Sequence, residues 1–132
     1  MMQEDKELLL TELCARLAYG VICSTPEGDG HLCSINQTIF GNEYGINIKA
    51  TKRSYFSDRE CEIRPYLRRL SSMTEGEMKE YYHLVAFSGN PIGSANFANW
   101  LNMHHIDYRG LIDMDLAVEV TEENNPYKKV IT

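Results

Sequence analysis

Two histidines, a carboxylate and a guanidinium lie within the run His104-His105-Ile106-Asp107-Tyr108-Arg109-Gly110. Such a set can supply acid–base or metal chemistry near neutral pH, because imidazole titrates there. Spacing argues against a metal. Adjacent helical residues point about 100° apart, so His104 and His105 do not share one ion while helical, and helical histidine ligands sit four apart. His104 follows Phe97, Trp100 and Leu101 at helical intervals. That predicts a partly buried, hydrogen-bonded imidazole on an apolar stripe. Asp107 and Arg109 are expected to tie a turn, with Gly110 free to take positive φ. A small hydrolase or metal enzyme using His104, His105 and Asp107 stands as one reading of this segment. No metal and no cofactor are expected.

The second concentration of chemistry is basic. The whole chain carries 13 Lys+Arg against 19 Asp+Glu, a net charge of −6. Residues 49–69 hold seven bases (Lys49, Lys52, Arg53, Arg59, Arg64, Arg68, Arg69) and three acids, a local charge of +4 that leaves −10 elsewhere. Tyr55, Phe56 and Tyr66 are interleaved with these bases. Cations that neutralise phosphates beside rings that stack on bases are how small barrels hold single-stranded nucleic acid. Lys52, Arg53, Arg64, Tyr66, Arg68 and Arg69 are therefore the candidate binding residues. The same strip suits an acidic protein segment. Pairing of Arg64 and Arg68 with acids from the helices, and burial of Phe56 and Tyr66 in the core, is the competing structural use.

Other chemistry has little support. No G-x-S-x-G, H-E-x-x-H or Walker A motif occurs. Cys14, Cys23, Cys33 and Cys61 contain no C-x-x-C pair, so they read as small apolar residues in a reducing compartment. Cys23 and Cys33 flank an expected hairpin and could face one another across it. No apolar run reaches 18 residues, and Met1–Glu7 lacks the pattern of a secretory signal, so a cytoplasmic protein with no membrane partner is expected.

The elements that must carry these residues are read from periodicity. Asp5–Leu17 reads as a helix with Leu10, Leu13, Cys14 and Leu17 on one stripe, widened by Leu8 and Leu9. The period then falls to two. Val21–Thr25, His31–Phe40 and Tyr44–Ala50 read as strands, with a turn at Pro26–Gly30 and a weaker strand near Glu60–Ile63. Cys33, Ile35 and Ile39 are expected on one face of the second strand. Arg64-Pro65 marks a break, and Ser71-Ser72 a linker. Thr74-Glu75-Gly76-Glu77 is a capping box opening a helix with Met78, Tyr81, Tyr82 and Val85 on one face. A third helix starts near Ser94 and ends around Asp107–Gly110. Leu111–Val120 is apolar and fits either a short helix or a closing strand.

Several blocks together resemble a family of small proteins of no assigned activity, common in Bacteroides-type gut bacteria and their prophages. The blocks are Leu13–Leu17 with Tyr19-Gly20-Val21, Ile63–Arg68, Ser71–Glu75, and Trp100-Leu101-Asn102 with His104-His105 and Asp107–Ile112. The chain departs from that pattern at Ala18, where a proline is expected, and at Arg69-Leu70, where a proline–methionine pair is expected. The resemblance implies a phage or mobile-element origin and carries over no catalytic residue.

The expected fold is a single α+β domain over 1–132: an N-terminal helix at 5–17, a small antiparallel meander or SH3-like partly closed barrel over 19–63, a helical hairpin within 74–112, and a loose tail at 121–132. Trp100, Leu101, Phe97, Tyr81, Met78, Val21, Ile35 and Ile46 are the expected core. The leading functional expectation is a non-catalytic binding or adaptor protein acting on a host or phage protein, with nucleic-acid binding as the alternative.

Overall fold

The computed structural model describes residues 3–37, 44–48, 55–56, 63–88 and 95–127. Helix α1 spans Gln3–Arg16, with Glu4 and Asp5 at its positive end, and a 3-10 turn at Leu17–Tyr19 closes it at Gly20. Strands β1 (Ile22–Thr25), β2 (Gly28–Gln37), β3 (Tyr44–Ile48), β4 (Tyr55–Phe56) and β5 (Arg64–Arg69) come after it. Next are α2 (Glu75–Ser88), α3 (Ala95–Met103), β6 (Ile106–Asp107) and β7 (Val118–Glu119). The class is α+β, as expected.

The sheet is mixed and not closed into a barrel. Its path runs β4-β3-β2-β1-β5-β6, with β7 also paired to β5. The first five strands pair antiparallel, but β6 and β7 run parallel to β5. β5 is the hub: Arg64 and Pro65 pair with β1, Tyr66 and Leu67 with β7, Arg68 and Arg69 with β6. The expected break at Arg64-Pro65 is instead the start of this strand, a position where a missing N–H is tolerated. Leu111–Val120 resolves into turns and then β7.

The β1–β2 hairpin is tighter than expected, because Thr25 pairs directly with Gly28. Thr25 Oγ1 donates to Gly28 O at 2.7 Å and accepts from Glu27 N at 3.1 Å, and Gly28 has φ 119°. Cys23 therefore faces Gly30, not Cys33. Cys23 is buried while Cys14 and Cys33 are exposed. A bulge between Leu32 and Ser34 shifts the register of β2. It places Leu32 opposite Ile48 and Ile35 opposite Ile46, so both pack toward the core and Cys33 turns outward. Strict alternation would put Cys33 on the face of Ile35.

Three clusters fill the interior. The largest joins Leu9 and Leu13 of α1 to Val21, Cys23, Leu32, Ile46, Ile48, Leu67, Leu111 and Leu116. The second joins Trp100, Leu101 and Ile106 to Tyr81 and Leu84, which packs α2 against α3. The third, Ile22, Tyr66 and Val120 with Val118 and Tyr127, uses the alternate positions of β1 and β5. Met78, expected in the core, is 40% exposed and Tyr82 is 61% exposed. The buried side of α2 is set by Tyr81 and Leu84 instead. The buried face of α1 is likewise offset from expectation: it runs Leu9, Glu12, Leu13, Arg16, and Cys14 is exposed. The side chains of Phe97, Tyr55 and Phe56, and residues Ile39, Lys49, Lys52, Arg53, Arg59 and Glu60–Glu62, lie outside the described residues.

Candidate functional site

The run from His104 to Gly110 leaves α3 and crosses to the sheet. Helix α3 ends at Met103, earlier than expected, and His105 takes φ 58°. A non-glycine residue there costs local strain. The corner is held by Arg68 N donating to His105 O at 2.7 Å. Asp107 organises the turn after it. Its Oδ1 accepts from the backbone N–H of Arg109, Gly110 and Leu111, and its Oδ2 from Ile112, all within 3.2 Å. Gly110 has φ 80°. Asp107 ties the turn as expected, with Gly110 at positive φ and both Asp107 oxygens engaged by backbone, but the Arg109 side chain, also expected to tie it, reaches Glu12 instead.

Helix α1 anchors the same run through a buried ion pair. Arg16 Nη2 lies 3.0 Å from Glu12 Oε2 with both side chains at most 1% exposed, and it donates to Ile106 O at 2.7 Å. Glu12 Oε1 lies 2.7 Å from Arg109 Nε. The guanidinium carbons of Arg16 and Arg109 lie 5.5 Å and 5.6 Å from the Tyr108 ring centroid. Glu12 and Arg16 are neighbours of this run that periodicity did not single out. Their i, i+4 spacing is the favourable order for a helical pair, but a stripe drawn through Leu10, Cys14 and Leu17 leaves them on the wrong side.

Arg68 binds everything around His104. Nε donates to Ser72 Oγ, Nη1 to Glu77 Oε2 and His104 O, Nη2 to Glu77 Oε1 and Ser72 O, at 2.7–3.4 Å. A guanidinium has five N–H donors, so none is left over. Glu77 also closes the capping box, accepting from Thr74 N at 2.9 Å while its own N–H donates to Thr74 Oγ1 at 3.2 Å. Arg68 foremost, then Thr74, holds the Glu77 carboxyl down at about 2. His104 Nδ1 lies 3.1 Å from Glu77 Oε2, and its ring lies 4.4 Å from that of Trp100. The imidazole is partly buried, as expected, with the Glu77 carboxylate as its polar neighbour. Trp100 Nε1 donates to Glu80 Oε2 at 2.9 Å.

The other described strip residues are similarly partnered. Arg64 contacts Asp115 through its carbonyl at 2.9 Å and its carboxylate at 3.5 Å. Arg69 bonds Glu119 and Asp113, each at 2.9 Å. Tyr66 is buried and donates to Asp29 at 3.0 Å; burial first, then Asp29, pushes its phenol up. Lys52 and Arg53 lie outside the described residues.

Between the end of β5, the N-terminus of α2 and the C-terminal segment lies an open cleft of about 740 Å³. Arg68, Ser72, Thr74, Glu77, Met103, His104, His105, Val120, Thr121, Glu122, Asn125 and Tyr127 line it. His105 and Tyr127 stack with ring centroids 3.9 Å apart and 9° between planes. Burial, reinforced by the charges of Arg16 and Arg68 and by His104 and His31, lowers His105 to about 4. His105 is therefore neutral at pH 7, and its Nδ1 is buried with no hydrogen-bond partner among the described residues. Among the described residues, no group of three or more His, Cys, Asp or Glu side chains could hold a metal ion, and no helix is long and apolar enough to cross a membrane.

No protein-family model matches the chain, and comparison with curated proteins and with solved structures returns no match.

Proposed function

We propose that this chain is a non-catalytic binding protein whose partner docks in the cleft between β5, α2 and the C-terminal segment. One observation carries the reading. The ionisable groups that a hydrolase would draw on are already committed to structure: Asp107 to four backbone N–H groups, Arg68 through all five donors, Glu77 to Arg68 and Thr74. The Glu77–His104 pair resembles a base and its orienting carboxylate, but among the described residues no hydroxyl or thiol is bonded to His104 for such a pair to activate. Ser72, the neighbouring hydroxyl, donates to Arg69 O at 2.7 Å. What remains is a concave surface with an open mouth, the form of a recognition site.

The proposal includes a host or phage protein as partner, a cytoplasmic setting and a mobile-element origin; these rest on the sequence blocks that carry the family resemblance. It keeps the hairpin arrangement of α2 and α3 as the helical wall of the cleft. It does not require an SH3-like curl of the sheet. Nucleic-acid binding is the weaker reading, because Arg64, Arg68 and Arg69 already face carboxylates and a phosphate must displace them. Its support would have to come from Lys52 and Arg53.

Plugging the cleft tests the proposal. Thr121 is exposed at its edge. Thr121→Trp should abolish capture of a protein that the wild-type chain enriches from bacterial lysate, while the melting temperature stays within a few degrees. Equal enrichment by both forms, or none by either from several lysates, contradicts it.

A further inference from the structure

Tyr127 closes one end of the cleft in an unusual way. Residues 121–125 are exposed, and their hydrogen bonds are local turns: Asn124 N to Thr121, and Tyr127 N to Asn125 Oδ1 at 3.0 Å. Among the described residues, every hydrogen bond and ring contact that leaves the segment 121–127 is made by Tyr127. Its hydroxyl accepts from Ile22 N at 2.9 Å and donates to Tyr66 O at 2.8 Å. Its ring lies flat on His105 and packs against Ile22, Tyr66 and Val120.

Taken without its occupant, this is a slot for a phenol. It has apolar side walls and a flat imidazole platform. At its base the Ile22 N–H donor and two backbone carbonyls, Tyr66 O at 2.8 Å and Ile22 O at 3.5 Å, take up the donor and acceptor capacity of a single aromatic hydroxyl. Burial holds the Tyr127 phenol above its usual value and His105 below its own, so donor and platform are both neutral at pH 7. A phenylalanine fills the slot but leaves Ile22 N–H and Tyr66 O unpaired, a buried polar penalty that selects tyrosine.

We infer that the slot under Tyr127 is a tyrosine-recognition subsite of the cleft, occupied in the free chain by its own C-terminal segment. The partner it fits is a protein segment that presents a tyrosine in place of Tyr127. A peptide source is favoured over a free phenol because the slot already holds a tyrosine with chain on either side. The inference rests on the binding reading of the cleft, and its test runs on the pure protein, so it fails or succeeds whether or not lysate capture does.

Tyr127→Ala empties the slot. Its melting temperature should rise saturably with p-cresol and with N-acetyl-tyrosinamide but much less with toluene, and Ile22 amide protection should return with the two phenols. Wild-type protein, with the slot filled, should show no such rise. Equal effects of toluene and p-cresol, the same rise in wild type, or failure of N-acetyl-tyrosinamide alone overturns the inference. Should Tyr127→Ala not fold, Tyr127→Phe decides. It keeps the ring, and exchange of the Ile22 amide should quicken roughly tenfold from loss of one hydrogen bond. An unchanged Ile22 exchange rate overturns the inference.

Discussion

Asp107 and His105 sit two residues apart and behave oppositely. Asp107 gathers four N–H groups from one turn, so Asp107→Ala should cost about 2–3 kcal/mol in denaturant unfolding, because the donors it leaves are partly buried. A loss near zero would show that water replaces it. His105 contributes through its neutral state. The unfolded chain takes up this proton below about 6.5, whereas the folded chain does so only near about 4. Its stabilisation is therefore complete above about 6.5 and lost as pH falls toward 4. Melting temperature should drop across that window in wild type and drop less in His105→Asn, which tolerates positive φ but does not titrate. Glu77 titrates lower: its contribution is complete above about 4.5 and lost as pH falls toward 2. The turn around Asp107 and Gly110 was legible because a short carboxylate before a glycine has a local mechanism. The His105–Tyr127 stack was not, since 22 residues separate the two rings and nothing local records their meeting.

At the scale of elements, buried charge joins α1 to the 104–110 run. Glu12→Ala leaves Arg16 buried without its carboxylate and should cost about 3–5 kcal/mol, whereas Glu12→Leu with Arg16→Leu together should cost less than Glu12→Ala alone. Chemical denaturation of the two variants checks this, and a larger loss in the double variant than in Glu12→Ala would contradict it. Trp100→Ala should cost about 3–5 kcal/mol, because its ring is buried between Tyr81 and His104; an unchanged melting curve would refute that placement. The capping box of α2 was legible to the residue, because Thr74 and Glu77 bond each other across three positions. Its second role, gripping Arg68, was not, since that contact depends on where β5 ends. The strand β5 was itself obscured. Arg64-Pro65 carries a break signal, and only pairing with three other strands overrides it. The face of α1 was misplaced because hydrophobicity alone locates a stripe, and this stripe includes an ion pair.

For the whole molecule, the charge map changes meaning. The strip of +4 within a chain of −6 reads from sequence as an anion-binding surface. In the fold, Arg64, Arg68 and Arg69 join β5 to Asp115, Glu77, Asp113 and Glu119, acids drawn from the strongly negative remainder. For these three arginines, charges segregated along the chain are mixed in space. Single-stranded DNA should bind weakly even at low salt; a tight complex whose affinity falls steeply with salt in a gel-shift titration would restore the basic strip as a site. The concave surface lies next to this network, where β5, α2 and the C-terminal segment meet. Placing a photo-crosslinking residue at Thr121, on the cleft, and in a second protein at Tyr82, exposed outside it, tests the binding site most directly. Adducts with a captured protein are expected from position 121 and not from 82; adducts from 82 alone would contradict the cleft as the docking site.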